Sequence, residues 1–257
     1  MSLLDPGALT PDPAAAPAVR RVLSQTRFDA RIMLRNGEQV LLTLVLPTLV
    51  LVALTLAPFP DLGPGPRIDV VAPGVLALAV MSAAFTGQAI GTAFDRRYGV
   101  LRLLATTPLG RGGLLAGRVG AVLAVESVQV VLLGAVALGL GWRPDPAGIP
   151  VAIFMIIIGT GTFVALGMLL AGTLRAEAVL ATANLLWVVL LAGGGVVVPP
   201  EQMGPLANLA PYLPSGALGD ALRAALQHGD LDVSALAVLL VWGVAAGFAA
   251  VTWFRWD

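Results

Sequence analysis

The sequence predicts an all-α, polytopic membrane protein with six transmembrane helices, and three observations predict it. Of 257 residues, 58% are hydrophobic and only 12% charged, with a mean hydropathy of +0.90, whereas soluble domains carry about a quarter charged residues. The apolar residues fall in long blocks, each near the roughly twenty helical residues that cross a hydrocarbon core of about 30 Å. The arginines gather in alternate connections between those blocks.

Each element follows from its own stretch of chain. Residues 1–18 are rich in Pro and Ala, with Asp5 and Asp12, and lack the basic start and apolar core of a secretory signal; a disordered cytoplasmic tail is expected. Over 19–36, Arg20, Ser24, Arg27, Arg31 and Arg35 recur every three or four residues as one polar stripe. Val19, Val22, Leu23, Ala30, Met33 and Leu34 form a neighbouring apolar face. Such a helix lies in the membrane interface with its arginines at lipid phosphates. The remainder, 37–257, is one transmembrane domain with spans at about 39–58, 70–94, 119–141, 149–171, 177–198 and 233–254. Pro47 interrupts the first span. The second is the least apolar, carrying Ser82, Thr86, Gln88 and Thr92.

Arginine placement sets the orientation. With the N-terminus inside, Arg20, Arg21, Arg27, Arg31, Arg35, Arg96, Arg97, Arg102, Arg111, Arg118, Arg175 and Arg255 are cytoplasmic, leaving Arg67, Arg143 and Arg223 outside. Both termini and the 95–118 loop are therefore expected inside, and 199–231 outside.

Absences remove most enzyme classes. All fifteen cationic side chains are Arg; without Lys there is no GxxxxGK[ST] phosphate loop. There is no Cys, and His228 is the single histidine, so thiolate sites and multi-histidine metal sites are excluded. A net charge of zero gives no basic field for nucleic acid. Gly159-Thr160-Gly161-Thr162 and Gly193-Gly194-Gly195 read as close helix contacts. A Ser215–Asp220–His228 triad is rejected because those residues are expected on an exposed helix and turn.

The loop Asp95–Arg118 carries the most information. A short helix ending near Thr106 precedes Thr107, expected to cap a further turn that begins with Pro108. Tyr98, Leu101 and Leu104 fall on one side of this charged helix, a form suited to a groove in another protein. Asp95-Arg96-Arg97, Gly99, Leu101, Leu103-Leu104, Thr107-Pro108-Leu109 and Gly117-Arg118, in this order after a second span, resemble the membrane subunits of type-2 ATP-binding-cassette (ABC) exporters. Two positions depart from that pattern: Asp95 stands where Glu is commoner, and Arg102 where an acidic residue is frequent. The resemblance implies a coupling role toward an ATPase for Asp95, Arg97, Tyr98, Gly99, Leu101, Leu104, Thr107 and Pro108. It also implies a separate ABC ATPase chain that holds the ATP and Mg, with no cofactor or metal in this one. A second permease copy or homologue, a bacterial cytoplasmic membrane and a re-entrant outer hairpin over 199–231 complete what it implies. Its expected function is export of a hydrophobic or amphiphilic substrate such as a drug, lipid or glycolipid.

Three polar residues within the spans are candidates for a role. Glu126, in the third, is expected either on a substrate path or paired with Arg97 or Arg118; Gln129 and Asn184 are expected to make interhelical hydrogen bonds. A proton-coupled secondary transporter is the alternative, with Glu126 as its single acid. An intramembrane enzyme would need clustered Asp, paired Glu with His, or a Ser/His dyad in the spans, and none occurs.

Overall fold

A computed structural model describes residues 15–59 and 62–253. The expected tail lies mostly outside them, as does Arg255. Every regular element among the described residues is helical. The helix expected at the membrane interface is α1 (Ala18–Arg35), followed by α2 (Gly37–Leu56). Then α3 (Arg67–Met81), a π turn (Ser82–Gly87) and α4 (Gln88–Arg97) run on as one rod. A short α5 (Val100–Ala105) leads to α6 (Gly110–Gly139), α7 (Ile149–Thr173) and α8 (Ala176–Gly194). After a run of 3-10 turns come α9 (Pro214–His228) and α10 (Val233–Trp253).

Among the described residues five helical stretches are long and apolar enough to cross a membrane: Arg67–Arg97, Gly110–Gly139, Pro146–Thr173, Ala176–Gly194 and Val233–Trp253. The apolar stretch of α2, Thr43–Leu56, is shorter. The helices also overrun or fall short of their expected bounds. The α3–α4 rod reaches Arg97 and α6 begins at Gly110, so the connection between them is half the expected loop. At the other end α8 stops at Gly194, where Gly195 turns left-handed at φ 62°, a conformation that penalises any Cβ.

The least apolar predicted span is the centre of the bundle. In the most apolar stretch of Arg67–Arg97, 83% is buried, against 17% for α8 and 22% for α10. Small residues bring its neighbours close. A Cβ on Gly74 would sit 2.7 Å from the Val196 carbonyl oxygen, and one on Gly167 of α7 would sit 2.8 Å from that of Phe85 in the π turn. Trp187 Nε1 of α8 donates to Ser82 Oγ in that turn at 2.9 Å.

Two prolines inside helices leave carbonyls without their usual i+4 donor, and in each case a glutamine from another helix fills the gap. Pro47 frees Thr43 O, which accepts from Gln129 Nε2 of α6 at 2.7 Å. Pro73 frees Asp69 O, which accepts from Gln227 Nε2 of α9 at 2.7 Å. Three arginines likewise serve the exposed carbonyls of helix C-termini. Arg96 donates to Ala171 O at 2.7 Å and to Leu174 O at the end of α7. Arg111 donates to Val251 O and Thr252 O at the end of α10 (2.9 and 3.2 Å). Arg223 donates to Gly195 O and Val196 O beyond α8 (3.0 and 2.9 Å).

The segment after α8 is not the exposed helix and turn expected from sequence. Ser215 through Leu222 are buried apart from Asp220, and α9 packs on α3, α7 and α10. Ser215 Oγ donates to Leu190 O at 2.8 Å, and Asp220 pairs with Arg223, so neither is aligned with His228. The turn before α9 reaches inward: Trp242 Nε1, nine residues into α10, donates to Tyr212 O at 3.0 Å. At a rise of about 1.5 Å per residue that contact lies roughly 13 Å along α10. The far end of α9 returns to the connection between α6 and α7, where Asp145 N donates to Leu226 O.

Candidate functional site

The α4–α6 connection sits at the bundle end that holds α1 and most of the arginines. It is a braced platform. Gly99, at φ 78°, reverses the chain between α4 and α5, which Gly does at no steric cost. Phe94 and Tyr98 stack at the end of α4 with ring centroids 6.1 Å apart. Leu101 is fully buried in the chain's own core and Leu104 is partly buried against it. Thus Leu101 anchors α5 to this subunit; it is not the external anchor its spacing suggested. The side chains left facing outward are Tyr98, 74% exposed, and Leu103, 72% exposed, with Arg102, Thr106, Thr107 and Pro108 also exposed.

Thr107 does not cap the following helix. Thr106 Oγ1 and Thr107 Oγ1 instead donate to Leu103 O and Leu104 O (2.7 and 2.6 Å), closing the last turn of α5. The α6 helix begins after Leu109 with no side-chain cap.

The charges expected at the rim are engaged within the chain. Arg118 of α6 pairs with Asp95 of α4 and, at 3.5 Å from its Nε, with Asp29 of α1. Gln25 Nε2 donates to both Asp29 carboxylate oxygens at 3.0 Å. Burial pushes the Asp29 carboxyl above its ordinary value of 3.8, against the opposing pull of Arg118 and Gln25 and with a further push from Asp95. Arg97 pairs with Glu177 at the start of α8, on the exposed surface. Arg96, with no expected role, ties α4 to the end of α7.

This hub depends on a face of α1 that sequence reading missed. The arginine stripe and the apolar residues Val19, Leu23 and Leu34 all face outward, whereas Val22, Gln25, Thr26 and Asp29 face α6. Glycines spaced along α6 admit that mixed face: a Cβ on Gly117 would sit 2.8 Å from Gln25, and one on Gly120 would sit 2.7 Å from Thr26 Oγ1. The spacing 22, 25, 26, 29 is a helical face like any other. Its polarity hid it, because the inward face of a helix is sought among apolar residues.

The intramembrane candidates separate. Glu126 is 1% exposed; it pairs with neither Arg97 nor Arg118 but accepts from Thr160 Oγ1 of α7 at 2.5 Å. Gln129 holds the carbonyl freed by Pro47. One oxygen of each, Glu126 Oε1 and Gln129 Oε1, is buried without a donor. Asn184 is exposed and donates within its own helix, to Leu180 O at 2.9 Å; the expected interhelical bond is not formed within this chain. Among the described residues no cluster of His, Cys, Asp and Glu could hold a metal ion.

No curated protein matches the chain. The family model described as ABC-2 type transporter matches residues 21–226, from the first turns of α1 through most of α9, and so takes in α1, the platform and the buried α9 segment together. The chain therefore belongs to the ABC-2 type transporter family, as a multi-pass membrane permease component of an ABC transporter.

Proposed function

We propose that the chain is the membrane-spanning half of an exporter, moving a hydrophobic or amphiphilic substrate out of a bacterial cytoplasm while a separate ATPase subunit hydrolyses ATP. The observation that carries this reading is the platform at the arginine-rich end. Two large side chains stand exposed there, Tyr98 in the turn that ends α4 and Leu103 on α5, and α4, which leads into α5, is linked through Asp95 and Arg96 to α6 and α7, with Arg118 of α6 also reaching α1. A push on the α4–α5 turn is thereby delivered to three helices at once. Exposed aromatic and aliphatic groups on a rigid support are what a docking partner's groove takes up.

In this reading the arginine-rich end is cytoplasmic, α2 completes six spans, and the hairpin ending in α9 is re-entrant from the outer side. Two copies, or one copy and a homologue, together enclose the path. The weakly buried faces of α8 and α10, together with exposed Asn184, are the surfaces available for that pairing. An apolar interior with few charges suits drugs, lipids or glycolipids better than small ions. The test is affinity capture of the tagged chain from its native membranes: an ATPase with phosphate-loop motifs should co-purify and hydrolyse ATP. The permease freed of it should bind no nucleotide. Saturable ATP binding by the isolated chain overturns the reading.

A further inference from the structure

A groove of about 470 Å³ opens at the arginine-rich end, between the first turns of α1 and the turn that enters α6. Its two walls differ in chemistry. Arg20, Arg21 and Ser24 line one side, and Leu104, Pro108 and Leu109 the other. Among the described residues no acidic residue lines it, and neither arginine forms an ion pair. Arg21 Nε is shut away from solvent with no acceptor, and a buried guanidinium donor without an acceptor is costly. The N-terminus of α1, with no acidic side chain in its first turn, adds to the positive field. Beside the groove, Val19 is 71% and Leu23 51% exposed, so apolar surface continues outward from a cationic recess.

We propose that this groove binds the phosphate of an anionic membrane lipid. Arg21 and Arg20 supply the charge-assisted donors and Ser24 a further hydroxyl. The glycerol region rests on Leu104 and Leu109, and the acyl chains pass Val19 and Leu23. The proposal rests on the reading of α1 as an interfacial helix. A lipid fits better than a carboxylate from a soluble partner, because a soluble partner gives no reason for the apolar residues of α1 to stay uncovered beside the recess. A bound lipid at this point contacts both α1 and the end of α5, so lipid composition reaches the platform directly.

The experiment uses the purified permease–ATPase complex in neutral detergent, titrated with phosphatidylglycerol, phosphatidylcholine or inorganic phosphate and read by native mass spectrometry. Two double variants are compared: Arg20→Gln with Arg21→Gln in the groove, and Arg27→Gln with Arg31→Gln on the exposed stripe. Both remove the same charge. Phosphatidylglycerol should bind the wild type about tenfold more tightly than phosphatidylcholine, in line with charge-assisted recognition. The groove variant should lose that preference and the stripe variant should keep it. Equal loss in both variants, or loss in neither, overturns the proposal. Complete displacement of the lipid by millimolar inorganic phosphate reduces the groove to an anion site and also overturns it. ATPase retention is scored in the same samples: lipid lost with ATPase retained assigns the effect to the groove. ATPase lost with lipid retained makes the groove a protein contact and overturns the proposal, leaving the permease reading intact.

Discussion

Arg118 is the residue on which most of the platform depends. It is 8% exposed and lies between Asp29, 3% exposed, and Asp95. Removing one member of a buried ion pair strands the other, at a cost of about 3–5 kcal/mol. Arg118→Gln should therefore lower the thermal midpoint sharply, while Arg97→Gln, whose partner Glu177 is on the surface, should change stability by no more than about 1 kcal/mol and leave the midpoint near that of the wild type. Equal effects in a thermal-unfolding assay would contradict the hub. Asp29 adds a pH signature. Its folded value is raised above 3.8, so the stability it contributes is fully present below 3.8 and is lost as pH rises through the raised value. Asp29→Asn should flatten that part of the stability profile, which begins above 3.8; a constant offset between variant and wild type as pH rises from there would refute the assignment. The sequence displayed Asp95 and Arg118 as motif residues but not their pairing with each other or with Asp29, since 66 or more residues of chain separate Asp29 from both.

Helices were the legible level, and their interruptions were only partly so. Length and hydropathy located every long helix, and Pro47 could be read as a break in α2. That Gln129 satisfies the carbonyl Pro47 frees could not be read, because the pairing spans 86 residues. A double-mutant cycle tests it. With Pro47 present, Gln129→Leu leaves Thr43 O unpaired; with Pro47→Ala, the N–H restored at position 47 can take that carbonyl. The two substitutions should show a coupling of about 1 kcal/mol, within the range of interhelical hydrogen bonds in membranes. Additive effects would mean that the proline and the glutamine are unrelated. The α5 helix teaches the complementary lesson: Pro108 set its end near Thr106, yet Leu101 turned inward and Leu103 outward, because a six-residue helix is oriented by its attachments and not by its own pattern.

At the scale of the whole molecule, arginine asymmetry predicts which end faces the cytoplasm. The native chain has no Cys, so single-cysteine labelling reads the topology cleanly. Gly112, exposed and with open space at its Cβ position, is the probe for the arginine-rich end; Gly110, at φ 70°, would strain under substitution. Asn208, exposed in the 3-10 segment, probes the other end. Gly112→Cys should react only with membrane-permeant reagent and Asn208→Cys also with impermeant reagent, and the reverse pattern would invert the orientation. The resemblance implies a hairpin over 199–231, but the burial of α9 could not be read, because the Pro, Gly and Ala content of this segment resembles a loop. Those small residues are what allow α9 to insert between α3, α7 and α10.

The claim that organises the molecule is that the end of α4 and α5 transmit force between an ATPase and the bundle through Tyr98 and Leu103. The most direct measurement is co-purification of the ATPase with the double variant Tyr98→Asp and Leu103→Asp, beside wild type, with substrate-stimulated hydrolysis measured on what is recovered. Both side chains are more than 70% exposed, so folding and membrane insertion should be preserved, whereas two carboxylates placed in an apolar partner groove cost several kcal/mol. The account predicts at least about a tenfold loss of bound ATPase and of stimulated hydrolysis. Full association and full stimulation by the double variant would contradict it.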